Sequence, residues 1–188
     1  MLVSLANWRD PKKRRVAALQ ALQERDLERL LELHRTYLAL KGRRRARLSP
    51  HTLAAYESGI RDFLAWAWPP EARGPRVPLW EVGPDEIDAW LHALETEGSH
   101  LVEPQRRRPL RPSSLAARLA AVRSLYKALR WAGVAAVPET LSPTDPTPAH
   151  ERRPALPLAL YKKLLLHLSS DDAESRRDHL AARLMGEA

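Results

Sequence analysis

Sixteen prolines punctuate this chain, and nearly all of them fall between its apolar-periodic runs rather than inside them. A proline ring removes a backbone donor and clashes with the preceding helical turn, so a helix interior excludes it. The stretches between prolines are therefore the natural structural units. They are rich in Leu and Ala, the whole chain holds a single Phe, and their apolar residues recur at three- and four-residue spacing. That pattern dictates packed helices rather than a sandwich of β-branched strands. The expected fold class is all-α, a four-helix bundle followed by a proline-rich linker and a shorter helical segment.

Residues 16–41 read as helix, with Leu27, Leu30, Leu31, Tyr37 and Leu38 on one face, Gly42 as a stop and Pro11 as a candidate start; the alternative is that 16–26 form a separate segment. The next helix opens at LSPHT, where Ser49 is a good N-cap and Pro50 suits the first helical position. Leu53, Tyr56, Ile60, Phe63 and Leu64 form its core stripe, and Pro69-Pro70 end it. The stretch PPEARGPRVPLWEV reads as a loop. A third helix begins at Gly83-Pro84, buries Ile87, Trp90, Leu91 and Leu94, and ends near Gly98. The fourth starts at Ser113 or Ser114 and runs to about Ala132, with Gly133 as its C-terminal stop. Its Leu115, Leu119, Val122, Leu125, Tyr126 and Leu129 share an arc of about 120°. Residues 1–18 read as a basic N-terminal arm, 19–136 as the helical domain, 137–157 as a linker, and 158–188 as the start of a second domain.

Charge narrows the partner. The formal net charge is +8, and arginine outnumbers lysine. A polyanion is the natural expectation, with nucleic acid ahead of membrane. Lys41, Arg43, Arg44, Arg45 and Arg47 stand just before the helix start at Ser49 and Thr52. Arg106, Arg107, Arg108 and Arg111 stand just before the one at Ser113. Unpaired backbone N–H groups and the helix dipole favour phosphate at such places, and guanidinium forks on the preceding loop would add to them. Two solvated loops would look the same, so a helical protein-interaction module with soluble basic loops is the alternative. Arg123, Lys127 and Arg130 form a further basic stripe beside the apolar arc of the fourth helix. Arg118 projects within that arc, where it can snorkel outward, pair with a buried acid or reach DNA.

Most catalytic chemistries find no support. The chain has no cysteine, which excludes disulfides and thiol nucleophiles. Its seven histidines make no metal-binding spacing, and no phosphate-binding glycine motif occurs. Tyr37, Tyr56, Tyr126 and Tyr161 sit at helical packing positions. No cofactor or metal is expected. No apolar run reaches the length of a membrane span, and the N-terminus has no signal-peptide core, so a cytoplasmic location is expected.

Two segments carry a resemblance. LSPHTLAAYESGIRDFLAWA, through Ser49, Thr52, Tyr56, Ile60 and Phe63, resembles the first signature of the N-terminal domain of tyrosine recombinases, the phage-integrase or Xer-like family. RPSSLAARLAAVRSLYKALRWAG, through Arg118, Leu119, Val122, Arg123, Leu125, Tyr126 and Gly133, resembles the second. The resemblance implies a SAM-like core-binding domain that forms one half of a clamp around duplex DNA. Contacts would come from the two basic loops, Ser49, Thr52, Ser113, Arg118, Arg123 and Lys127. It also implies that LPLALYKKLLLHL and SRRDHLAARLMGEA begin the catalytic domain. The family's HxxR pair and tyrosine nucleophile have no counterpart here, so no catalytic residue is expected in this chain. Double-stranded DNA and other recombinase protomers on the same site are the partners implied.

Overall fold

The computed structural model describes residues 8–42, 48–69, 72, 74–140, 143, 157–168 and 172–186, and every regular element among them is helical. The chain divides into two units, Met1–Asp145 and Pro146–Ala188. The first holds α1 (Pro11–Gln23), α2 (Leu27–Lys41), α3 (Pro50–Ala67), α4 (Pro84–Thr96), a 3-10 turn (Pro104–Arg106) and α5 (Pro112–Ala132). The second holds α6 (Leu158–His167) and α7 (Ala173–Gly186).

Local chemistry sets the ends of these helices. Ser49 caps α3 by accepting from the Thr52 backbone N–H at 3.2 Å. Glu86 reaches back from the first turn of α4 to accept from the Gly83 N–H at 2.8 Å, the reciprocal half of a capping box. Gly133 closes α5 in the left-handed conformation, φ 74° and ψ 31°, where a Cβ would be costly.

α5 is the central element of the first unit and packs against each of the other four helices. Leu115, Leu119, Val122, Leu125, Tyr126 and Leu129 are all buried on it. Phe63 of α3 lies edge-on to Trp90 of α4 at 5.2 Å and to Tyr126 of α5 at 6.2 Å, and it stacks on Trp66 at 6.0 Å. Such pairs add about 0.5–1.5 kcal/mol each beyond area burial. α3 and α5 approach closely at Gly59, where a Cβ would stand 2.5 Å from the Ala121 Cβ. Glycine at that point lets two backbones pack that a larger residue would hold apart.

The structure resolves three expectations. Residues 1–18 do not form an arm throughout. Residues 11–23 are helix, capped by Asp10, whose carboxylate accepts from the Lys12 and Lys13 N–H groups. Trp8, Ala18, Ala21 and Leu22 are buried. Residues 1–7 lie outside the described residues. Second, of the two readings of 16–41 the divided one holds, with helices over Pro11–Gln23 and Leu27–Lys41. The run breaks at Arg25, φ 55°, and restarts under an Asp26 cap that accepts from the Arg29 N–H at 3.0 Å. Third, the 69–82 loop contributes to the core. Leu79 and Val82 are buried, and the Tyr126 hydroxyl donates to the Leu79 carbonyl at 3.0 Å. Burial pushes that phenol's pKa up.

In the second unit the two helices are joined by side chains. The Tyr161 hydroxyl donates to the Ala182 carbonyl at 3.4 Å, and His179 Nδ1 bonds the Leu165 carbonyl at 3.1 Å. Of the expected linker over 137–157, only 137–140, 143 and 157 are among the described residues.

Candidate nucleic-acid interface

The basic residues divide into those the fold turns inward and those it leaves outward. At the start of α3, Ser49 is exposed, and its Oγ shares a hydrogen bond with the Thr52 Oγ1 at 2.8 Å. Lys41 is exposed at the end of α2. Arg43, Arg44, Arg45 and Arg47 lie outside the described residues.

The second basic loop is held from several sides. Gly98 is buried with φ 102°, and a Cβ there would strike the Arg108 backbone. The Leu110 N–H donates to the Leu94 carbonyl at 3.0 Å. The firmest anchor is Asp62 of α3, which is fully buried. It accepts from the Ser99 hydroxyl at 2.8 Å and from the His100 backbone N–H at 2.7 Å. Arg118 Nε of α5 lies 3.4 Å from the same carboxylate, and its Nη1 donates to the Ser58 hydroxyl at 2.6 Å. The His100 ring Nδ1 is 3.7 Å away, an electrostatic contact rather than a hydrogen bond.

Burial pushes the Asp62 carboxyl upward, but His100, Ser99 and the Arg118 charge together outweigh it and hold the group below its ordinary value. The loop is therefore latched by an ionised carboxylate at neutral pH. The stability this contributes is present above the unfolded-state pKa and is lost as pH falls through the lower folded one.

This arrangement gives three of the arginines partners within the fold, and for Arg118 it is the pairing with a buried acid that occurs. Arg118 pairs with the buried acid instead of reaching out, because a guanidinium within an apolar arc needs a partner. Arg107 folds back, its Nε donating to the Val102 carbonyl at 3.0 Å and its Nη1 3.8 Å from Glu97. Arg123 donates through Nη2 to the Thr140 carbonyl and, at 3.0 Å, to the Thr140 hydroxyl, so it ties the segment after α5 to that helix. The expected helix start at Ser113 or Ser114 is corrected. The N-cap of α5 is Arg111, and no side chain caps that end. Ser113 is exposed in the first turn. Pro112 at the first helical position moves the start one residue earlier than the serines suggest.

The outward set remains. Arg106, Arg108 and Arg111 are exposed, Arg106 lying 3.6 Å from Glu103. Lys127 and Arg130 are exposed on α5. Among the described residues the side chains of Lys41, Arg108, Arg111, Lys127 and Arg130 have no ion-pair partner. Uncompensated cations are what a polyanion can neutralise.

The reading of residues alone passed over Asp62 and Ser99. One signal was available: Arg118 in an apolar arc of one helix and Asp62 beside the stripe of another are opposite charges in places that tolerate neither alone. Among the described residues no cluster of His, Asp and Glu could hold a metal, and no helix is long and apolar enough to cross a membrane.

The sequence profile described as phage integrase, N-terminal SAM-like domain, matches residues 37–133. That span covers the last turn of α2, all of α3, α4 and α5, and the Asp62 latch. No curated protein and no solved structure gives a significant match.

Proposed function

Since the chain belongs to the phage-integrase family through its N-terminal SAM-like domain, we propose that its first unit binds double-stranded DNA as the clamp domain of a site-specific tyrosine recombinase, acting in recombination or integration. The observation that carries this reading is the end of α5. Arg108 and Arg111 are exposed and unpaired beside a helix N-terminus that no side chain caps, on a loop that Asp62 holds in place. Phosphate oxygens complement both the guanidinium forks and the positive end of the helix dipole. Lys41, exposed at the end of α2, and the exposed Ser49 hydroxyl at the start of α3 add a cation and a hydrogen-bonding group.

On this reading the loop cations supply affinity, and side chains exposed on α3 and α5 set register on the duplex. The proposal assigns no catalysis to this unit. Tyr126 is buried and hydrogen-bonded, and Tyr37 and Tyr56 are packed against the core.

Titration of a labelled duplex at a series of salt concentrations tests the proposal. Log K should fall with log salt with a slope steeper than about −3, as for several neutralised phosphates. A flat dependence, or no binding at low salt, contradicts it.

A further inference from the structure

The matched region begins at residue 37, yet α1, which precedes it, carries a dense group of cations. The structure does not leave them on a loose tail. Arg14 is turned inward: its guanidinium lies 3.9 Å over the Trp131 ring, its Nε donates to the Trp131 carbonyl at 3.1 Å, and its Nη1 donates to the Trp8 carbonyl at 3.0 Å. Burial lowers the pKa of this arginine, with Asp10 acting in the opposite direction. The cation–π contact holds the guanidinium over the ring, and Ala18, Ala21 and Leu22 bury the rest of that face. α1 is thus fixed against the C-terminal end of α5.

What this anchoring displays is cationic. Arg9, Lys12, Lys13 and Arg15 are exposed. Asp10, the acid nearest in sequence, is turned to capping backbone N–H groups. Among the described residues none of these four cations has an ion-pair partner. The Arg15 side chain passes Gly133, its Cδ 4.0 Å from where a Cβ would stand. That places it at the same end of α5 as Lys127 and Arg130, which share one helix face at three-residue spacing. Two groups of unpaired cations therefore lie at opposite ends of α5. One is Arg108 and Arg111 at its start; the other is α1 with Lys127 and Arg130 at its finish. A helix of 21 residues is about 31 Å long, close to the roughly 34 Å of one duplex turn.

Resting on the DNA reading above, we propose that the exposed cations of α1 form a second phosphate-contact site, which engages the duplex backbone about one helical turn from the contacts made at the start of α5. Charge complementarity selects the occupant, because this surface carries four exposed cations against the single carboxylate of Asp10, and among the described residues none of the four is ion-paired. The exposed Val16 and Leu19 on the same helix would suit a protein partner, and that occupant is one outcome of the test.

The test uses the full chain with a short hairpin-closed duplex of about 6 base pairs, roughly 20 Å long, and a long one of about 24, chosen to hold one cation group or both. Wild type is compared with Lys12→Gln/Lys13→Gln/Arg15→Gln, and with Lys12→Gln/Lys13→Gln in case Arg15 also supports the end of α5. The expected result is that wild type gains affinity and a steeper salt slope on the long duplex. Each variant binds the short duplex as wild type does. On the long duplex each loses about tenfold to a hundredfold, with a slope shallower by about 2 to 3. Long-duplex binding by the variants equal to wild type overturns the inference while leaving the DNA reading intact. So does displacement of the long duplex by polyglutamate at equal charge concentration, which would mark an acidic-protein surface. Failure of wild type to bind either duplex overturns both.

Discussion

At the scale of single residues, this domain is organised by polar groups that the core encloses. His34 of α2 is fully buried, and its Nε2 bonds the Ser124 hydroxyl of α5 at 2.8 Å. The ring stands edge-on to Tyr56 of α3 at 5.7 Å, so one imidazole joins three helices. Burial lowers its pKa to about 4, the nearby Glu57 acting the other way and Arg35 acting with it. The folded state thus refuses a proton that the unfolded chain takes up below about pH 6.5. Stability from this group is complete above that pH and declines as pH falls towards 4, by about 3 kcal/mol. Urea unfolding of wild type and His34→Gln at pH 7 and pH 4 checks this. Wild type should lose about 3 kcal/mol more than the variant across that interval, and equal losses would contradict the assignment. Single-sequence reading found Ser49 because an N-cap is a local event. It could not find the partners of His34, Asp62 or Arg118, which lie on other elements and depend on how the helices cross.

Elements show the same division between local and distant causes. The stripes of α3, α4 and α5 were legible because the 3.6-residue period and their caps agree. The boundary between α1 and α2 was legible only as an alternative, because no glycine or proline marks it. Arg25 takes the left-handed conformation itself, and the only local sign is Asp26, an N-cap residue within an otherwise helical run. The 69–82 loop has no period to read, and its burial follows from the gap that Tyr126 fills. The contact of α3 with α5 turns on Gly59. Gly59→Ala should destabilise by about 1–3 kcal/mol by overpacking against Ala121, even though alanine is the better helix former. Ala121→Gly in the same chain should recover most of the loss. Denaturant midpoints of the four-member cycle measure this, and simple additivity would show that the helices do not meet there.

For the whole molecule, the sequence carried the helical class and the family resemblance, while the sorting of its cations needed three dimensions. Arginines at neighbouring positions behave oppositely. Arg107 and Arg118 are half-buried and held by partners, whereas Arg108 and Arg111 are exposed and have no ion-pair partner among the described residues. Charge counting treats all four alike, because it sees density and not direction. The central claim is that only the outward set meets phosphate, and one measurement tests it most directly. The salt slope of duplex binding is determined for Arg108→Gln, Arg111→Gln, Arg107→Gln and Arg118→Gln, each at a temperature where thermal unfolding shows the chain folded. The account predicts a slope shallower by about 1 for each of the first two and an unchanged slope for Arg107→Gln and Arg118→Gln. Unchanged slopes for Arg108→Gln and Arg111→Gln, or a loss at Arg118→Gln equal to theirs, would contradict it.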